Sequence, residues 1–218
     1  MKIEFKKRMI TSFFLITLLV FMYFYPFILI ISLIIISVIT WIEFYAIISK
    51  IFLKDNVEER FLRLIFKAIS LLYLFTLVFF IILYQKTDSG IFIIYSLLVA
   101  VASDIGGIVV GKTFKGKKLT KISPKKTISG SIGSLAFSLM LIPFFINDLL
   151  VNDFLFLIIV TLVISLSSQV GDLLISSLKR KAKVKDTSDL LPGHGGFLDR
   201  IDGIIFAIPT GIILFNLF

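Results

Sequence analysis

Six basic residues, four aspartates and the chain's one histidine crowd into Ser176–Asp202, SSLKRKAKVKDTSDLLPGHGGFLDRID, between two long apolar runs. Polar density of this kind beside a bilayer is costly and is a functional candidate by default. Lys179, Arg180, Lys185 and Arg200 suit an anionic substrate, because ammonium and guanidinium groups both make charge-assisted hydrogen bonds to phosphate oxygens. Asp199 and Asp202 are three residues apart and share one face if they are helical. Asp172 stands near the end of the preceding apolar run, in Gln169-Val170-Gly171-Asp172. Three converging carboxylates repel one another unless a cation joins them, and Mg²⁺ takes one or two carboxylates plus water and phosphate oxygens. The plainer alternative is that Asp199 and Asp202 cap the last helix and pair with Arg200 or Lys179. In Pro192-Gly193-His194-Gly195-Gly196 the glycines allow positive φ and close approach of backbone to a phosphate. His194 could donate to that phosphate, shuttle a proton or cap the following helix; a lone histidine is not a zinc site.

A second constellation is Ser123-Pro124-Lys125-Lys126-Thr127-Ile128-Ser129-Gly130, with further lysines from Lys112 onward before it. Lysines are mobile charges for phosphates, and hydroxyls add donors near a helix start. On charge alone the same stretch is an ordinary solvated loop. A third is Ser103-Asp104-Ile105-Gly106-Gly107, inside an apolar run. Asp104 is an intramembrane acid and so a functional candidate, while Gly106 and Gly107 serve function or close helix packing equally well. Gly106–Thr113, GGIVVGKT, satisfies the P-loop pattern letter for letter. A P-loop needs a preceding strand and a βαβ unit, whereas an apolar run of helical length precedes this one, so the match is set aside. Glu43, close to Trp41 and Tyr45, reads as a snorkelling interfacial residue.

The elements that must position these residues are membrane helices. Of 218 residues 58% are hydrophobic, against about 45–50% in soluble domains. Apolar segments near the length that crosses about 30 Å of hydrocarbon recur at 9–26, 27–48, 66–84, 91–111, 128–147, 154–175 and 202–218. The expected fold is an all-α polytopic transmembrane helical bundle of about seven spans. Residues 1–90 form scaffold helices or a dimer surface; 91–218 form the catalytic region with loops 112–127 and 176–201, within one integrated membrane domain. Twenty-two of the 23 Lys and Arg lie in the N-terminus, 49–67, 112–127 and 176–201, leaving only Lys86. The positive-inside rule puts the N-terminus and these loops in the cytoplasm, and seven spans put the C-terminus outside. The basic start is like that of a signal peptide, but no small-residue cleavage site follows, so a retained first helix is expected. Met22–Phe27 reads as an interfacial turn with aromatic anchors. The net charge of +9 thus reflects topology and an anionic partner, not nucleic acid, since most of the 24 phenylalanines sit in the apolar runs. Zero cysteines exclude disulfides and thiolate metal sites.

Ser176-x-Leu178-Lys179-Arg180, then Lys185-Asp186, then Leu191-Pro192-x-His194-Gly195-Gly196-Phe197-x-Asp199-Arg200-Ile201-Asp202 resembles the signature of the phosphatidate cytidylyltransferases, the CDP-diacylglycerol synthases. Ser123–Thr127 followed by a glycine resembles a second block of that family, with Ser129 where the family usually has Glu. Asp104-x-Gly106 resembles a third, from which Gly107 and Ile108 depart. The likeness covers roughly 100–210, and the chain is short for the family, so one or more N-terminal spans are expected to be missing. The resemblance implies transfer of a cytidylyl group from CTP to phosphatidate, giving CDP-diacylglycerol and pyrophosphate, at the cytoplasmic side of a bacterial inner membrane. It implies Mg²⁺ on Asp172, Asp199 and Asp202, with K⁺ as a second metal. It gives catalytic roles to Asp199, Asp202, Lys179, Arg180 and His194. Substrate binding falls to Ser123, Lys125, Lys126, Thr127, Asp104, Gln169, Lys185, Asp186, Gly195, Gly196 and Arg200. The partners implied are CTP, phosphatidate, membrane lipids and a second copy of the chain in a homodimer. The same cations and metal would also serve a CTP-dependent kinase of polyprenol-type lipids or another CTP:lipid-phosphate transferase. A transporter of anionic solutes is a more distant alternative, and it leaves the Gly-His-Gly-Gly turn unexplained.

Overall fold

The structure is a computed structural model, and it describes residues 2–217 apart from 54, 55, 86, 88, 121, 148 and 150–152. Lys86, which marks the opposite face in the topology, lies outside the described residues, as do Lys54 and Lys121. The elements in order are α1 Lys2–Phe24, α2 Pro26–Ile51, α3 Val57–Gln85, α4 Gly90–Phe114, α5 Ile128–Leu139, α6 Ile142–Phe145, α7 Phe154–Lys181, α8 Leu198–Ile201 and α9 Ile204–Leu217. The described residues form no strand, only isolated bridges at Lys118–Thr127 and Leu191–Gly195. Five helical stretches are long and apolar enough to cross a membrane: α2, α3, α4, α5 with α6, and α7. Met9–Phe24 and Ile204–Leu217 are shorter apolar stretches. Each of the seven expected spans therefore has a helical counterpart, and the chain is an all-α polytopic membrane protein.

The chain divides into two compact units, Met1–Ile82 with Leu178–Ile201, and Leu83–Ser177 with Asp202–Phe218. In the first unit the expected aromatic turn falls between α1 and α2. Tyr25 is extended (φ −122°, ψ 100°) and Pro26 opens α2, because proline disfavours helix in the residue before it and suits the first helical position. Asn56 caps α3, its Oδ1 accepting from Glu59 N at 3.0 Å, and Glu58 and Glu59 sit at the positive end of the helix dipole. α1 packs on α2, and α2 on α8. Ile47, Ile48 and Leu198 are almost fully buried, whereas Phe13, Phe27 and Phe75, within the apolar runs, stand exposed, as suits the outer face of a membrane bundle.

In the second unit α4 packs against α5 and α9. Its core gathers Tyr95, Val99, Ala100, Leu157, Val160, Ile164, Ala207 and Phe215. The Tyr95 hydroxyl inside that core is satisfied, 2.5 Å from Thr161 Oγ1. α4 and α5 approach closely at Gly106 and Gly133. A Cβ at Gly106 would stand 2.7 Å from Phe137 Cβ, the small-residue packing expected of membrane helices. Two boundaries depart from expectation. The span at 128–147 is two pieces, α5 and α6, because Pro143 lacks the N–H that would bond to the last turn of α5. α7 runs on past 175 to Lys181, with Lys179, Arg180 and Lys181 in its last turn, where cations favour the negative end of the dipole.

Candidate active site

Within the first unit the signature segment is half helix and half loop. Leu178–Lys181 closes α7, and the chain then turns at Lys183, a non-glycine residue in the left-handed region (φ 56°). Leu191-Pro192-Gly193-His194 forms a tight turn. His194 N donates to Leu191 O at 2.8 Å and Gly193 has φ 79°, which proline then glycine at the two central positions encodes. Gly195 is also left-handed (φ 82°), and Leu191 N donates to its carbonyl at 2.8 Å. Arg200 clamps this turn, its Nε and Nη2 donating to His194 O at 3.0 and 2.5 Å. The His194 ring lies against α1, with Nε2 3.3 Å from Ser12 Oγ.

Asp199 is the hub of the loop. Its Oδ1 accepts from Lys179 Nζ at 2.6 Å. Its Oδ2 accepts from Thr187 N at 2.8 Å, Thr187 Oγ1 at 3.0 Å and Gly196 N at 3.0 Å. The side chains of Lys179 and Asp199 are 11% and 5% exposed, so the alternative of a Lys179 pairing is the one realised. Burial pushes the Asp199 carboxyl up, but the Lys179 hydrogen bond, the amides of Thr187 and Gly196 and the Lys179 charge outweigh it and hold the group below its ordinary value. Arg180, Lys185 and Asp186 remain exposed at the rim, and Arg180 Nη1 donates to Val184 O at 3.2 Å.

The residue that sequence reasoning missed is Glu43. It does not snorkel to the interface but is buried, 5% exposed. Its carboxylate accepts four hydrogen bonds: from Ser188 Oγ at 2.6 Å, Leu198 N at 2.8 Å, Thr187 Oγ1 at 3.0 Å and Phe197 N at 3.1 Å. The available signal was an acid in an otherwise apolar span, which is a functional candidate by default.

In the second unit the Ser123–Gly130 block is built from its own sequence. Lys126 N donates to Ser123 O at 3.0 Å across Pro124 and Lys125, and Thr127 caps α5 by accepting from Gly130 N at 3.0 Å. Ser129, where a carboxylate was usual, has its Oγ 3.0 Å from Thr127 Oγ1 and 3.4 Å from Gly116 N, so it ties the loop internally. Lys126 forms an ion pair with Asp172, both partly exposed, and Asp172 Oδ1 also accepts from Ser176 Oγ at 3.2 Å. Ser131 Oγ donates to Gln169 Oε1 at 2.5 Å, while Gln169 Nε2 is buried with no hydrogen-bond partner among the described residues. Ser123, Lys126, Thr127, Gln169 and Asp172 thus belong to one unit, with Lys125 exposed beside them. Asp202 lies just past the end of α8, buried, its Oδ1 accepting from Gly203 N at 3.0 Å. Asp104 is exposed on α4. Gly106–Thr113 is continuous helix within α4, so the P-loop match has no loop behind it, and Gly106 serves packing.

Among the described residues no three His, Cys, Asp or Glu side chains gather to hold a metal. Mg²⁺ needs only one or two carboxylates beside water and phosphate oxygens, and the donor set fits it to different degrees. Asp172 fits best, because its partners are exchangeable and its side chain is 26% exposed. Asp199 Oδ2 is filled by three donors, so a metal could share only Oδ1, in competition with Lys179.

Proteins named phosphatidate cytidylyltransferase are similar to this chain in Bacillus subtilis (40% identical over 129 residues, 58% of this chain and 48% of the relative), in Staphylococcus haemolyticus (40% over 139 residues, 62% and 53%) and in Rickettsia typhi (38% over 134 residues, 58% and 58%). The chain spans about half the length of these curated relatives. The model of the cytidylyltransferase family matches residues 2–218, nearly the whole chain, and the chain belongs to that family.

Proposed function

We propose that this chain transfers the cytidylyl group of CTP to phosphatidate, releasing pyrophosphate and leaving CDP-diacylglycerol in the membrane. One observation carries the reading: the lysine and aspartate of the signature, 20 residues apart, meet at 2.6 Å on a loop whose amides converge on the same carboxylate. In the proposed reaction a phosphatidate phosphate oxygen attacks the α-phosphorus of CTP, a new P–O bond forms, and the bond to the bridging oxygen of the pyrophosphate breaks. The lipid phosphate is already ionised, so no protein nucleophile is needed. The barrier is largely that of aligning two polyanions. Lys125, Lys126, Lys179 and Arg180 would bind phosphate oxygens and offset their charge. Asp199 holds Lys179 in place, and Arg200 holds the carbonyl of His194 and so the shape of the glycine turn. Asp172, with phosphate oxygens and water completing the shell, would hold Mg²⁺. When bound, the ion supplies charge stabilisation for the phosphates and the leaving group.

The concentration of Lys and Arg in the N-terminus and three loops supports a cytoplasmic active site in the inner membrane of a bacterium. The test is an assay in lipid–detergent micelles with phosphatidate, CTP and Mg²⁺, following pyrophosphate and CDP-diacylglycerol together. The expected outcome is equal formation of the two, abolished by EDTA and reduced at least about tenfold in Asp172→Asn. Release of CDP with a phosphorylated lipid would move the chain to the kinase reaction. Full turnover in EDTA would remove the metal from the proposal.

A further inference from the structure

We infer that Glu43, on α2, is a positioning residue for cytidylyl transfer, acting through Thr187 and the start of α8 on the Asp199–Lys179 pair; this rests on the function proposed above. A carboxylate offers about four lone-pair sites, and Glu43 fills four with neutral donors, two hydroxyls and two backbone amides. Two of these partners lie at the residues immediately before Asp199, namely Phe197 and Leu198. A third, Thr187, stands between the two carboxylates, its Oγ1 3.0 Å from Glu43 Oε2 and 3.0 Å from Asp199 Oδ2. The hydroxyl has one proton for two acceptors, so its bond is shared, while the Thr187 amide stays on Asp199 at 2.8 Å. The line of contacts then ends on Lys179 Nζ, at Asp199 Oδ1. Gly196 lies in the same cradle, where a Cβ would meet Thr187 Oγ1 and both Glu43 oxygens.

Nothing about this arrangement is needed merely to bury α2, whose neighbouring positions are isoleucine, phenylalanine and tryptophan. A buried ionised carboxylate is stabilising only where every lone pair is met, and truncating it leaves the partners unsatisfied. The predicted consequence is specific to the kind of change. In Glu43→Gln the amide NH₂ must face at least one of the four donors. Thr187 and Ser188 hydroxyls can rotate to accept from it, but the Phe197 and Leu198 amides cannot.

Glu43→Gln, Thr187→Val and Thr187→Ser should be compared in two readouts. The first is hydrogen exchange of the amides from Thr187 to Leu198, which does not depend on activity. The second is kcat and KM for CTP and for phosphatidate, per folded molecule. Positioning predicts exchange at least about tenfold faster and kcat lowered about 10- to 100-fold in Glu43→Gln and Thr187→Val, with KM for phosphatidate within about twofold and Thr187→Ser restoring both. A purely structural role would lower the yield of folded protein and leave kcat per folded molecule unchanged, which would overturn the inference. So would unchanged exchange in both variants. If Glu43→Gln cannot be recovered folded, Thr187→Val, nearly isosteric with the native residue, decides alone. If the parent proves inactive while exchange responds as predicted, the function proposed above fails and the anchoring of the loop by Glu43 stands.

Discussion

At the scale of single residues, the loop between α7 and α8 is organised by two carboxylates that face inward. Asp199 collects three hydrogen bonds on one oxygen and a lysine on the other; Glu43 collects two on each. Packing at Gly196 follows from this, because any side chain there occupies the space of Thr187 Oγ1 and the Glu43 carboxylate. Gly196→Ala should therefore cost about 1–3 kcal/mol by overpacking and remove most of the activity, seen as a lowered melting temperature together with a lowered kcat. Wild-type melting and kcat in that variant would mean the anchors tolerate displacement. The chemistry of Lys179, Asp199 and the glycine turn was legible in the sequence because charge, glycine and proline are local signals. Glu43 was not. Its partners lie 144 to 155 residues further along the chain, and no local pattern distinguishes an acid that reaches water from one that meets four donors.

Among the elements, hydrophobic run length located all seven apolar helices, since the thickness of the bilayer sets it. What it could not locate was where a run breaks or overruns. Pro143 splits α5 from α6, and α7 continues through Ser176 and Ser177 into its basic last turn. The glycine-bearing helices α4 and α5 illustrate the same limit from another side: Gly106 and Gly107 read alike in sequence, open equally to function or to packing, yet their surroundings differ. A Cβ at Gly106 meets Gly133 O and the Phe137 side chain at its root, whereas one at Gly107 meets a single close side-chain atom, Ser134 Oγ at 2.8 Å, and no backbone nearer than 3.7 Å. Gly106→Ala should accordingly be destabilised by about 1–3 kcal/mol and Gly107→Ala by clearly less, as read by thermal unfolding in detergent. Equal effects at the two positions would show that α4 and α5 can separate without cost.

For the whole molecule, charge distribution supports the orientation proposed above, on which helix geometry alone is silent. The argument is physical: Lys and Arg close to a span resist transfer across the membrane, and 22 of 23 of them lie in four segments that alternate correctly with the apolar runs. An error of one span would place the lysine loop 112–127 and the signature loop 176–201 on opposite sides, and the phosphate-binding residues proposed above could not serve one reaction. The absence of cysteine from the chain makes this directly testable, because a single introduced thiol is the only one that reacts. Ser123→Cys and Ser188→Cys in intact cells should resist an impermeant maleimide and become labelled only once the membrane is opened. Thr87→Cys, in the connection between α3 and α4, should be labelled from outside without opening. Labelling of Ser123→Cys from outside, or equal protection of all three, would overturn the cytoplasmic orientation, and with it the assignment of both basic loops to a CTP-facing site.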